Sequence, residues 1–220
     1  MDPLKVKTSS MAELLAVKHI AGPVGQLEIA ISAQQALAPS AIALICHPHP
    51  LHGGSMHNKV VTTLERAFRE LGCLCVRFNF RGVGQSGGEY ANGIGEGDDL
   101  AAVLAFVRAK LGAEAENVPL WLAGFSFGSF VSARMANELH AARLLSIAPP
   151  VQSWDFNSIA TPNMPWTIIQ GDADEVVEAQ AVDDFVASAK PAPTLIKMAA
   201  THFFHGVLPE LRAQVLQVFA

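Results

Sequence analysis

Apolar residues along this chain fall into short continuous runs separated by amphipathic stretches. Ala41 to Cys46 (AIALIC) is apolar throughout, as a strand buried on both faces requires. Lys59 to Leu71 follows with apolar residues at Val60, Val61, Leu64, Ala67, Phe68 and Leu71, the spacing of one helix face, and Gly72 stops it. Leu74 to Phe80, Leu120 to Ala123, Leu144 to Ala148, Trp166 to Gln170 and Thr194 to Met198 repeat the strand pattern. Helices are predicted between them from Asp98 to Leu111, Ser129 to His140 and Ala179 to Ala189, with Phe204 to Phe219 closing the chain. Near the start, Leu15 to Ile20 and Gln26 to Ser32 flank Gly22-Pro23-Val24-Gly25 and predict a strand pair at a sheet edge.

Strands that alternate with helices predict an α/β fold, a mostly parallel central sheet with helices on both faces. No repeat or linker interrupts the alternation, so residues 1–220 read as a single domain. In such sheets function collects on the loops at the C-terminal ends of the strands.

Composition narrows the function classes. With 50% apolar and 16% charged residues the chain is not of the disordered type. A net charge of −5 argues against nucleic acid as the main partner, because phosphate neutralisation needs a Lys/Arg excess. No apolar run approaches the ~20 residues of a membrane span. The three cysteines, Cys46, Cys73 and Cys75, are odd in number and lie in apolar runs, which predicts reduced buried thiols. Residues Met1 to Ser10 carry Asp2, Lys5 and Lys7 and lack the apolar core of a signal peptide. The expectation is a cytoplasmic protein with no nucleic-acid and no membrane partner; its oligomeric state is left open.

The loop after the strand at Leu120 reads Gly124-Phe125-Ser126-Phe127-Gly128, a G-x-S-x-G set between a strand and a helix. Such a sharp turn projects the serine above the sheet, and the helix behind it offers free N–H groups to a developing negative charge. A serine hydroxyl is a weak nucleophile until a base takes its proton, and the base is commonly a histidine oriented by a carboxylate. Gly171-Asp172-Ala173-Asp174-Glu175-Val176-Val177 follows the next strand but one, and Ala199 to His205 follows the last. Both loops come in the order acid, then histidine. Of the two histidines available, His202 lies in the loop, whereas His205 falls at the start of the closing helix.

With these motifs in place, the chain resembles the serine-type α/β-hydrolases over nearly its whole length. Members of that family carry G-x-x-D-x-x-V after the strand that precedes the acid; Gly171, Asp174 and Val177 match it, so the resemblance implies Asp174 rather than Asp172. Phe80-Arg81-Gly82-Val83-Gly84-Gln85-Ser86-Gly87 is similar to the family's R-G-x-G-x-S loop, generally structural, with Arg81 anchoring it. His47-Pro48-His49-Pro50-Leu51-His52-Gly53-Gly54 resembles the loop of a small lidless bacterial subgroup, H-P-H-P-x-x-G-G. In that fold this loop supplies one backbone N–H of an oxyanion hole, and the residue after the nucleophile, here Phe127, supplies the other. Pro48 and Pro50 have no N–H. The loop donor is therefore expected from His49, Leu51 or a later residue, with Leu51 the favoured position. Residues 148–165 are too few for a cap domain, and Trp154, Phe156, Ile159 and Met164 within them offer an apolar wall.

The resemblance implies a serine hydrolase cleaving a small carboxylic ester or thioester, with Ser126 as nucleophile, His202 as base, Asp174 as its orienting acid and no cofactor. The elbow holds neither the Asp of a haloalkane dehalogenase nor the Cys of a dienelactone hydrolase. One rival is a non-catalytic binding protein on a hydrolase fold. The other is a metallohydrolase built on His47, His49 and His52, with His57 nearby. The metal reading lacks a companion acid, since Leu51 holds its place, and no metal is expected.

Overall fold

The computed structural model describes residues 11–34, 39–115 and 117–220. The segment read as lacking a signal-peptide core, residues 1–10, lies outside them. In chain order the elements are β1 (His19–Gly22), β2 (Gly25–Ser32), β3 (Ile42–Cys46), α1 (Lys59–Glu70), β4 (Leu74–Phe78), α2 (Gly95–Leu111), β5 (Leu120–Phe125) and α3 (Phe127–Met135). They continue with β6 (Arg143–Ile147), β7 (Trp166–Gly171), α4 (Ala179–Ser188), β8 (Thr194–Met198) and α5 (Leu208–Phe219). The strands form one eight-stranded sheet in the order β1-β2-β4-β3-β5-β6-β7-β8. β1 with β2 and β2 with β4 are antiparallel; every later pair is parallel.

The apolar runs are explained by this sheet. Successive residues of a strand point to opposite faces, and in β3 both faces are covered. Ile42, Leu44 and Cys46 enter one core with Leu100 and Val103 of α2 and Val131 of α3. Ala43 and Ile45 enter the other with Leu64 and Phe68 of α1 and Val215 of α5. Phe68 meets Trp121 and Phe219 edge-on, which ties α1 to α5 across β5. Full burial of one such side chain contributes about 1.5–3 kcal/mol.

Several element bounds differ from the periodicity. Residues 11–16 are helical and β1 starts only at His19, whereas Leu15 to Ile20 were expected as strand. Met-Ala-Glu-Leu-Leu-Ala has strong helix formers and no β-branched residue. α3 starts at Phe127, directly behind the elbow, and stops at Met135 in a turn that runs to His140. α5 begins at Leu208 and not at Phe204; Gly206, with φ 81°, sits in the turn before it, and Pro209 suits its first turn. His205 is accordingly an exposed turn residue.

Cys46, Cys73 and Cys75 are free and buried. Burial pushes the Cys73 thiol up to about 11 and the other two higher still. Arg81 is also buried and holds Asp99 with Nε and Nη2, and its own N–H donates to the same carboxylate. That pair fastens the loop after β4 to α2. No helix among the described residues is long and apolar enough to cross a membrane.

Candidate active site

Ser126 stands between β5 and α3 with φ 51° and ψ −121°, a region that non-glycine residues rarely enter. The backbone around it explains how that conformation persists. The Ser126 N–H donates to Ile147 O at 2.8 Å, and the Ser126 carbonyl accepts from Ser129 N at 2.8 Å. A Cβ on Gly124 would lie 2.1 Å from Gly128 O, and one on Gly128 would lie 2.4 Å from Cys46 O. Only hydrogen fits at either position, so the two glycines of the motif let strand, elbow and the end of β3 press together.

Two other loops complete the constellation. His202 Nε2 lies 3.1 Å from Ser126 Oγ, and His202 Nδ1 lies 2.9 Å from Asp174 Oδ2 and 3.1 Å from Oδ1. An ionised carboxylate can only accept, so Nδ1 carries the proton and Nε2 of the neutral ring is left to accept from the serine hydroxyl. His202 is 3% exposed, and its ring packs between Phe125 and Phe203. Burial works against the Asp174 charge, yet the hydrogen bonds from His202, Val177 N and Val176 N outweigh it and hold this carboxyl below its ordinary range. The structure thus brings Ser126, Asp174 and His202 together. Asp172, the other candidate acid, is exposed, and its side chain makes no hydrogen bond among the described residues.

The support of this pair was not visible in the motifs. Gln170, at the end of β7, is fully buried; its Nε2 donates to Asp174 Oδ2 at 3.0 Å and also to the carbonyls of Gly171 and Val177. Glu175 Oε2 accepts the His202 N–H at 3.1 Å. The signal for Gln170 was a long polar side chain ending a mostly apolar strand, WTIIQ; Glu175 carried none.

The histidine-rich loop is hydrogen-bonded into the fold. His47 is fully buried; its Nδ1 donates to Pro48 O at 2.6 Å and its Nε2 accepts the Phe80 N–H at 3.0 Å. That arrangement requires the neutral ring, and burial pushes its pKa down to about 4. His49 Nδ1 accepts the Leu51 N–H at 3.2 Å, while its Nε2 meets the Tyr90 hydroxyl at 3.1 Å. Burial and then the neighbouring His52 lower the His49 pKa. His52 stacks on His49, and His57 is exposed. Among the described residues no three His, Cys, Asp or Glu side chains converge as a metal site.

The two expected oxyanion donors from this loop are therefore unlike. The Leu51 N–H is engaged and its side chain is 68% exposed. The backbone N–H groups of His49 and Phe127 make no hydrogen bond among the described residues, and the two side-chain rings lie 5.1 Å apart. Trp154, from the segment after β6, packs on Phe127 at 5.0 Å and on Phe130 at 4.8 Å. Phe156 is buried beneath it, against Phe130 and Phe185, and belongs to the core more than to a cleft wall.

A mostly parallel sheet with an elbow serine that meets a histidine from the loop of its last strand is the arrangement of the α/β serine hydrolases. Residues 49–162 match the family Hydrolase_4, described as serine aminopeptidase, S33. An α/β serine hydrolase homologue from Coxiella burnetii is 49% identical, with a TM-score of 0.86 over 92% of this chain and 96% of that one. XC6422 from Xanthomonas campestris, an α/β serine hydrolase without a lid, is 47% identical, with a TM-score of 0.84 over 90% of each chain. The protein RP471 of Rickettsia prowazekii is 36% identical over 194 residues, 83% of this chain and 79% of that one. The chain belongs to the Hydrolase_4 family of α/β serine hydrolases, and its fold is the lidless form.

Proposed function

We propose that the protein hydrolyses small carboxylic esters or thioesters through an acyl-enzyme on Ser126. The observation that carries this reading is the unbroken hydrogen-bond line from Ser126 Oγ through His202 to Asp174, 3.1 and 2.9 Å long. Ser126 Oγ attacks the carbonyl carbon as its proton passes to His202 Nε2. Asp174 keeps the ring in the right tautomer and stabilises the imidazolium. The imidazolium then gives its proton to the departing alkoxide or thiolate, which leaves the acyl group on Oγ. A water, deprotonated in turn by His202, attacks that ester and frees Ser126. The oxyanion of each tetrahedral state is received by the N–H groups of Phe127 and His49, which make no hydrogen bond among the described residues. Leu51, whose N–H is bound to His49 Nδ1, is set aside as donor.

The test is Ser126→Ala. The variant is expected to keep its fold and lose at least about 10³-fold in kcat/KM on p-nitrophenyl acetate and butyrate. It should also lose labelling by an alkyl fluorophosphonate. Turnover in the Ala variant close to that of the parent protein would refute the proposal.

A further inference from the structure

The loops around Ser126 carry a charge pattern that the hydrolytic step does not require. Those at the C-terminal edge of the sheet are residues 47–58, 79–94, 148–165, 172–178 and 199–207, besides the elbow itself. They contain no lysine. Their one arginine, Arg81, is buried and bound to Asp99. The whole chain has 15 lysines and arginines, so the depletion is local. Lys59 lies beyond the first of these loops, on α1, the helix that packs with α5. The same loops bear Glu89, Asp155, Asp172, Asp174, Glu175 and Glu178, and among the described residues none of these forms an ion pair with a lysine or arginine.

In place of charges, aromatic rings gather beside the elbow. His49, Tyr90 and Trp154 are half-buried and grouped around Phe127, the residue next to the nucleophile. Ring centroids of His49 lie 5.0 Å from Tyr90 and 6.1 Å from Trp154. Tyr90 is the only tyrosine of a chain with 7% aromatic residues, so this grouping is not a general property of the surface. Ring faces receive flat apolar groups and cations, and repel anions.

We propose that the Ser126 site is charge-selective: it takes uncharged or cationic substrates, seated against His49, Tyr90 and Trp154, and rejects anionic ones, coenzyme A thioesters included. This rests on the reading of Ser126 as nucleophile. An incoming anion meets no lysine and no unpaired arginine in these loops and adds to the field of the Asp174 carboxylate, and the oxyanion formed on its carbonyl is a second negative charge near the first. A fixed cation is stabilised by each of these.

The experiment uses three methyl 3-phenylpropanoates with a para carboxylate, hydrogen or trimethylammonio group, each rate normalised to hydroxide hydrolysis of the same ester. At pH 8 the carboxylate is expected to fall at least tenfold below the neutral ester in kcat/KM, and the ammonium to equal or exceed it. Ile94→Arg places a cation on an exposed position of the loop that carries Tyr90 and is expected to raise the carboxylate ester several-fold relative to the neutral one. In parallel, the three corresponding N-methylamides are titrated against Ser126→Ala by tryptophan fluorescence, which reads charge preference without turnover. An uncharged alkyl fluorophosphonate reads the nucleophile. Labelling of Ser126 together with a carboxylate ester cleaved within threefold of the neutral one overturns charge selection alone. Failure to label, with amides still ranked against the anion, overturns the nucleophile and leaves the selection standing. Amides that bind without regard to charge also overturn the selection.

Discussion

The elbow at Ser126 and the Asp174–His202 pair meet across one hydrogen bond, yet they are held by different forces. The elbow is held by backbone pressed on backbone: Gly124 against Gly128, Gly128 against Cys46 and His47, with no room for a methyl group. The pair is held by separate hydrogen bonds: Gln170 Nε2 and the Val176 and Val177 N–H groups donate to Asp174, and Glu175 accepts the His202 N–H, so the Gln170 and Glu175 side chains can each be removed while the other bonds remain. A sterically defined element fails as a whole when one atom is added. An element defined by several hydrogen bonds degrades in steps.

The sharpest test of the second kind of hold is Asp174→Asn against Asp172→Asn. The first is expected to lower kcat by about 10⁴, because an amide in place of the orienting carboxylate selects the wrong imidazole tautomer. The second should leave kcat within about threefold, since an exposed surface substitution removes no contact of the pair. If Asp172→Asn proved the more harmful, the acid would be misassigned. For the first kind of hold, Gly128→Ala introduces a Cβ 2.4 Å from Cys46 O and 2.5 Å from His47 O. A loss of about 4 kcal/mol in urea unfolding, or no soluble protein, is expected. A variant of parental stability would show that the elbow can relax.

The next two measurements probe hydrogen-bonded supports. His47 has its pKa lowered from 6.5 to about 4 by burial, so the unfolded chain binds a proton that the folded one refuses. Its contribution to stability is therefore complete above pH 6.5 and is lost as pH falls towards 4, about 3 kcal/mol across that window. Urea midpoints measured from pH 7 to 4 should drop accordingly, and His47→Asn should flatten the profile. A parent profile already flat there would contradict a neutral buried ring. The smallest effect is expected for Gln170→Leu, which removes one of the two donors to Asp174 Oδ2 and leaves His202 Nδ1 as the other. A loss of about tenfold in kcat with little change in KM is expected, one charge-assisted hydrogen bond being worth somewhat more than 1 kcal/mol. An unchanged kcat would mean that the two valine N–H groups suffice.

What could be read from the chain alone follows the same division. Runs such as AIALIC encode burial on two faces, and G-x-S-x-G encodes a steric necessity, so the sheet and Ser126 were both legible locally. The order of the acid and histidine loops was legible because each follows a strand. Leu51 was favoured over His49 as an oxyanion donor, because proline removes donors visibly whereas a side chain that occupies one does not. The Leu51 N–H is bound by His49 Nδ1, a contact only the folded turn creates. Gln170 and Glu175 escaped for a related reason: their partners lie on other loops, and no spacing within one segment announces a bond between two. Leu15 and Ala16 took helix where strand was expected, since a hairpin turn fixes only the strands adjoining it.

The three cysteines set a different property of the molecule. Each thiol is sealed in the interior, and Cys46 ends the strand against which Gly128 is packed. Oxidants and alkylating reagents act on thiolates, and these groups stay protonated for as long as the sheet stays closed. Thiol chemistry at these three cysteines therefore keeps time with the opening of the core, not with the redox poise of the surroundings. The elbow is packed, through Gly128, on the strand end that carries one of these sealed thiols.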